Sequence, residues 1–322
     1  MRRLLAAAIA AVTAVTAFSF PATASATTTT AVRNYPILSF GCLFGHAPAL
    51  GATVDETITS GGMQRDYLIH VPATYRPHVP MPLVMAFHGR KGDGTDIEAF
   101  SGIDSLNAIA VYPVGAKGEA DQRAWESAPY AAPVDDVRFV SDLLDHLQAT
   151  LCVDTNRIFA TGKSNGAGFV ALLACQLPFR IAAFGTIAGA FYPGTTVGCD
   201  TSAPAPIVDF HGTADPTIAY DGDVSHGVAT PPLMEWAQDR ATHNHCATGP
   251  SQTPIGTDVI RFSWTGCSQH GDVTHYRVIG AGHTWPGELV DSGPGSATQT
   301  IKATQVIWDF FNAHPLSAHL SR

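Results

Sequence analysis

Basic residues are scarce in this chain: 18 lysines and arginines stand against 27 acids, and charged residues of both signs make up 14% of 322 positions. That shortage argues against the electropositive surface with which proteins hold nucleic acid or an anionic membrane, and suits a neutral or weakly charged substrate. No two of the six cysteines stand in a C-x-x-C spacing, so the usual mark of a structural zinc site is missing, and neither a metal nor an organic cofactor is expected. Beyond residue 20 no apolar run is long enough to cross a bilayer, no segment repeats, and no linker divides the chain. Gly293-Pro294-Gly295-Ser296 reads as a loop inside one unit.

What is present begins with Met1-Arg2-Arg3, an apolar run from Leu4 to Phe20 interrupted by Thr13, Thr16 and Ser19, and then Ala24-Ser25-Ala26. A basic start, a short apolar core and an A-x-A site predict a secretory signal peptide over residues 1–26. Removing those 26 residues from 322 leaves 296, and losing the two arginines takes the formal charge from −9 to −11. A Thr-rich leader, taken as residues 27–40, is expected to be flexible, and residues 41–322 to form a single domain. Export makes the even cysteine count read as three disulfides. Cys152 precedes the strand that leads to Ser164, and Cys175 lies eleven residues past Ser164 on a helix returning antiparallel to that strand. At about 1.5 Å per residue the helix retraces roughly 16 Å, which predicts a Cys152–Cys175 bond. Cys246–Cys267 and Cys42–Cys199 complete the expected set.

The hydrophobic pattern alternates between strands and helices. Pro82–Phe87, Ala108–Tyr112, Arg157–Thr161, Ala183–Ile187, Ile207–Phe210 and Val273–Ile279 read as strands, most of them without polar interruption, and Gln64–Val71 as a half-buried one. Asp135–Leu151, Ala167–Ala174, Met234–Arg240 and Thr304–Ala313 read as helices. This order predicts an α/β fold: a mostly parallel central sheet with helices on both faces, braced by disulfides.

Chemistry concentrates at Gly162-Lys163-Ser164-Asn165-Gly166, a G-x-S-x-G directly between a strand and a helix. That context is the one a nucleophile elbow needs: a sharp turn lifts the serine hydroxyl out of the sheet, and the two glycines make room for it. An activated serine requires a base, and the base an orienting carboxylate. After Ser164, two strand-end loops carry candidates. Phe210-His211-Gly212-Thr213-Ala214-Asp215 offers Asp215 as the acid, preferred over Asp209, which lies inside the strand pattern, and over Asp221. Gly280-Ala281-Gly282-His283-Thr284-Trp285 offers His283 as the base, with His211 as its rival. For an oxyanion hole the backbone N–H of Asn165 is one expected donor, and Arg90 or Gly89 in His88-Gly89-Arg90 the other. Trp125 and Trp285 are the expected substrate-binding aromatics.

Taken together, Gly41-Cys42, Asp135-Asp136-Val137, Leu151-Cys152-Val153-Asp154, the Ser164 motif, His211–Asp215 and Gly282-His283-Thr284-Trp285-Pro286-Gly287 resemble the secreted feruloyl-esterase and poly(3-hydroxybutyrate)-depolymerase-like branch of the α/β-hydrolases, within which carbohydrate esterase family one falls. The resemblance runs from Gly41 to about Pro315. It implies an α/β-hydrolase fold and puts the family's nucleophile, acid and base on Ser164, Asp215 and His283. It also implies a secreted serine esterase acting on ferulate esters of plant cell-wall polysaccharide, with acetyl-xylan and short polyhydroxyalkanoates as neighbouring substrates; a monomer is expected, though the sequence does not fix the oligomeric state. The chain departs from the family in having Gly166-Ala167 where Gly-Gly is usual, and in a glycine-poorer His88–Gly92 loop. Two other classes stay open: a non-catalytic carbohydrate-binding protein on the same fold, and a peptidase.

Overall fold

The computed structural model describes residues 37–288 and 290–316; the expected signal peptide lies outside them. Runs rich in apolar residues, some with buried polar residues among them, give the strands that end up largely covered on both faces. These are β3 (Met81–Phe87), β4 (Ile109–Pro113), β6 (Ala183–Ile187) and β7 (Ile207–Gly212), all buried throughout, together with β5 (Val153–Lys163) and β12 (Val273–Val278). Runs that mix polar and apolar residues give outer strands: β1 (Thr53–Ser60), β2 (Met63–His70), β10 (Thr248–Ile255) and β11 (Val259–Thr265). All ten join one sheet in the order β1-β2-β4-β3-β5-β6-β7-β12-β11-β10. The six central strands, β4 through β12, run parallel, and each edge is finished by antiparallel pairing. A separate small hairpin pairs β8 (Asp223–Ser225) with β9 (Val228–Thr230).

Strand pleating sends alternate residues into two cores. Leu83, Met85 and Phe87 pack with α3 (Asp136–Thr150), α4 (Asn165–Gln176) and α5 (Leu233–His243). Val84 and Ala86 pack with α2 (Gly94–Ser101) and α6 (Ala303–Ala313) on the opposite face. Helix α3 turns Phe139, Val140, Leu143, Leu144 and Leu147 inward and is capped by Asp135, whose carboxylate accepts from the N–H of Arg138 at 2.7 Å. Helix α4 is buried almost all round, which is why its sequence shows no polar stripe. The architecture is the expected mostly parallel α/β sheet with helices on both faces.

Two expectations need correction. Residues 37–40 of the presumed flexible leader are pinned: Leu38 bridges Asp154, Ser39 Oγ donates to the Leu151 carbonyl at 2.7 Å, and α1 (Gly41–Phe44) follows at once. The disulfides are Cys42–Cys152, Cys175–Cys199 and Cys246–Cys267, so only the last matches the expectation. Neither Cys152–Cys175 nor Cys42–Cys199 forms, because β5 is eleven residues long rather than five. At about 3.3 Å per residue it spans more than twice the distance α4 retraces, so Cys175 stops well short of Cys152. There it meets Cys199, in the 3₁₀ turn Cys199–Thr201, while Cys152 is reached by Cys42 on α1.

Candidate active site

Ser164 sits alone between β5 and α4 with φ 57° and ψ −123°. A non-glycine residue in that region costs on the order of 1–3 kcal/mol and persists only where its surroundings hold it. Here its N–H donates to the Ile187 carbonyl at 2.9 Å, and its carbonyl accepts from Gly168 and Ala190, each at 3.1 Å. The flanking glycines are steric requirements. A Cβ on Gly166 would lie 2.2 Å from the Phe87 carbonyl oxygen, and one on Gly162 would lie 2.7 Å from Gly166. Strand β3, the elbow and α4 therefore meet backbone to backbone.

Asp215 and His283 lie 68 positions apart in the chain but follow the ends of adjacent parallel strands, β7 and β12. Their loops are stitched together by Thr213 N–H to the Val278 carbonyl and Ala214 N–H to the Ala281 carbonyl, both 2.9 Å. His283 Nδ1 is 2.7 Å from Asp215 Oδ2. The second carboxylate oxygen accepts from the N–H groups of Thr217 at 2.8 Å and Ile218 at 2.9 Å. Burial alone would push the Asp215 carboxyl up, but hydrogen bonds from His211 and His283 outweigh it and hold the group well below the usual carboxylate range. Burial is also the main cause at His283: it lowers the imidazole to about 4, with Asp215 opposing and the Lys163 charge assisting. At neutral pH the ring is uncharged. Its Nδ1–H donates to the carboxylate, and the Nε2 lone pair is left for a proton.

Ser164 and His283 open on one cavity of about 700 Å³, whose apolar wall includes Phe100, Tyr130, Tyr192 and Ile218. This volume and this mix of aromatic wall with a few polar groups suit a small organic ligand. Among the described residues one group, His70, Glu98 and Asp104, could hold a metal ion. None of the three lines this cavity, and His70 and Glu98 are already bonded to Thr53 Oγ1.

The remaining expected residues fall in several places. His211, the rival base, is buried, with Nε2 2.9 Å from the Ile218 carbonyl, and braces Asp215 from behind. Asp209 is inside the sheet, and Asp221 is exposed on a turn. Asn165 begins α4, where first-turn N–H groups lack intrahelical acceptors. Its side chain clamps Trp125, accepting from its N–H at 2.7 Å and donating to its carbonyl at 3.2 Å. Gly89 is adjacent to the nucleophile position: a Cβ there would lie 3.3 Å from Ser164 Cβ. Arg90 follows it, with its guanidinium 4.0 Å from the Tyr130 ring centroid. The loop carrying both is anchored by His88, whose Nε2 accepts from Gly115 N–H at 2.9 Å; burial lowers this imidazole to about 4.

The two tryptophans are not substrate-binding walls. Trp125 is fully buried, stacked on Phe169 and edge-on to Phe87, and Trp285 packs against Phe100 with its indole N–H on Thr304 Oγ1 at 3.0 Å. Neither lines the cavity, because both rings are consumed in packing the two sheet faces under it. The aromatics that do line it, Phe100, Tyr130 and Tyr192, carried no motif. Lys163, inside the motif, also lines the cavity.

Residues 66–223 match the family model described as Esterase PHB depolymerase. The chain is 29% identical over 234 residues to feruloyl esterase B of Piromyces equi, covering 68% of this chain and 42% of that relative's length. It is 27% identical over 293 residues to feruloyl esterase C of Emericella nidulans, covering 86% and 96%. Among solved structures it is similar to an acetyl xylan esterase from Aspergillus awamori at a TM-score of 0.56 and 14% identity, covering 81% of this chain and 99% of that one. That likeness is one of fold, the α/β-hydrolase fold.

Proposed function

We propose that this chain, a carboxylic ester hydrolase related through residues 66–223 to the esterase PHB depolymerase family, cleaves its ester by a Ser-His-Asp acyl-enzyme mechanism. The observation that carries the reading is the buried Asp215–His283 pair at 2.7 Å, opening on the same cavity as a serine held at φ 57°. Ser164 Oγ attacks the ester carbonyl as His283 Nε2 takes the hydroxyl proton. Asp215 keeps the imidazole in the tautomer that leaves Nε2 free, and stabilises the imidazolium once it forms. The oxyanion is met by the Asn165 N–H and by an N–H of the Gly89–Arg90 loop. His283 returns the proton to the departing alcohol. Water, deprotonated by the same nitrogen, then releases the acid.

The substrate favoured is a ferulate ester on plant-wall polysaccharide. An aromatic-walled cavity of about 700 Å³ accommodates a hydroxycinnamoyl group, and relatives named feruloyl esterases align over most of the chain. Three disulfides fit an exported enzyme. The test is initial rates on methyl ferulate, 4-nitrophenyl acetate and a 3-hydroxybutyrate oligomer, for the wild type and Ser164→Ala, alongside fluorophosphonate labelling. Ferulate should be released fastest, with loss of labelling and a fall in kcat of several orders of magnitude in the variant. Acetate or hydroxybutyrate turnover alone would keep the serine and replace the substrate. Turnover that survives Ser164→Ala would end the mechanism.

A further inference from the structure

Resting on the ester-hydrolase reading above, we propose that this cavity is built for esters that themselves carry a carboxylate, with the Lys163 ammonium as the partner of that charge.

Lys163 is the last residue of β5, immediately before the nucleophile, and is 5% exposed. It lines the cavity together with Ser164 and His283, and its Nζ lies 5.9 Å from the Phe100 ring centroid. Among the described residues no group accepts a hydrogen bond from it and no carboxylate stands within ion-pair distance of it. The acids that face it are committed elsewhere. Asp215 is held by two histidines and two backbone N–H groups. Glu288 accepts from Trp285 N–H and the Ser292 hydroxyl, and Asp291 Oδ1 accepts from Gly293 N–H at 2.9 Å. A buried ammonium without a bonded counter-charge is costly, and an incoming anion is what would relieve it.

The charge around the cavity points the same way. Its lining includes three cations, Arg90, Lys91 and Lys163, against two acids, Asp96 and Asp291, in a chain whose formal charge is −9. Asp96 is held in place at the start of α2, accepting from Asp93 N–H. With Arg90 shared with Glu119 at 3.6 Å, the basic side chains that stand beside the nucleophile in a chain poor in them still favour a negatively charged ligand. The carboxylate can stand on the acyl side, as in a half-ester of a diacid, or on the alcohol side, as in an acylated acidic sugar. Either way the bond broken and the bond formed are those of the ester mechanism.

Two matched pairs separate these sources in wild type and Lys163→Met: mono-4-nitrophenyl glutarate against 4-nitrophenyl valerate, and 4-acetoxybenzoate against 4-methylphenyl acetate. In at least one pair the anionic-to-neutral ratio of kcat/KM should fall by about tenfold to a hundredfold in the variant, the scale of a charge-assisted hydrogen bond. A second readout needs no mutation. Burial lowers Lys163 to about 8, with Asp215, Glu288 and Asp291 opposing, so its charge is lost as pH rises through that value. His283 is already neutral there. The wild-type ratio for the same pair should drop over this interval, and this readout decides the matter if Lys163→Met does not fold. Ser164-dependent turnover with a ratio unmoved by both substitution and pH would overturn the carboxylate preference alone. Turnover of neither member, or turnover surviving Ser164→Ala, would overturn the ester reading and the preference with it.

Discussion

Among the described residues, two aspartate–histidine pairs share an Oδ2–Nδ1 separation of 2.7 Å, Asp209–His275 and Asp215–His283. Both bridge β7 and β12 or the loops that follow them; Asp209 and His275 are partners in the strand register itself. What differs is the far side of the imidazole. His275 Nε2 is closed off by the Tyr220 hydroxyl at 2.6 Å, which also accepts from Arg277 Nε at 2.9 Å, while Thr186 Oγ1 donates to the other oxygen of Asp209. His283 Nε2 has no protein partner among the described residues, and its ring lines the cavity. An aspartate beside a histidine is therefore no sign of catalysis in itself. The deciding feature is whether the second nitrogen is spent on the fold or left for a substrate.

The largest effect that tests this contrast is a crossed substitution. Asp215→Asn should lower kcat on the order of 10⁴-fold by favouring the wrong tautomer. Asp209→Ala should leave turnover per folded molecule near wild type and lower stability by about 3–5 kcal/mol in urea denaturation, as expected for breaking a buried pair. If the large kinetic loss came from Asp209 instead, the roles of the two pairs would have to be exchanged. Next in size is the pH profile of kcat/KM. Because burial depresses His283 to about 4, its neutral, proton-accepting form survives well below the ordinary imidazole range. The acid limb should fall near pH 4; a limb near 6.5 would mean that the ring is hydrated in the working enzyme. The smallest effect is expected of Tyr220→Phe, which unseals the inner pair: about 1–2 kcal/mol less stable, with an unchanged pH profile. A kinetic change there would show that the two pairs communicate.

The sequence made the parallel core plain wherever burial on both faces leaves a largely apolar run, as in β3, β4 and β6. Of the strands with one face toward water it showed β2 through its alternation and was silent on β1, β10 and β11. Strand β1, Thr-Val-Asp-Glu-Thr-Ile-Thr-Ser, and strand β10, which holds Gly249 and Pro250, are edge strands whose pairing comes from a neighbour rather than from their own pattern. Helix α2 was missed although Asp93 and Asp96 form a reciprocal capping box, because aspartate stands in place of the usual glutamate. In the site, the G-x-S-x-G context and chain order led to Ser164, Asp215 and His283, and the structure brings Asp215 and His283 into contact. Properties that depend on which side of the sheet a residue faces, such as the tryptophans, or on the true length of a strand, such as two of the disulfides, were not readable from local pattern.

Between Asp215 and His283 the chain makes a long excursion through β8, β9, α5, β10 and β11, then returns to the strand beside the one it left. The separation of Asp215 and His283 is thus fixed by the spacing of two neighbouring strands and does not depend on the length of the detour. Under the proposed mechanism, a change of length in that detour should leave the Asp215–His283 contact in place, because the contact is set by two strands paired with each other.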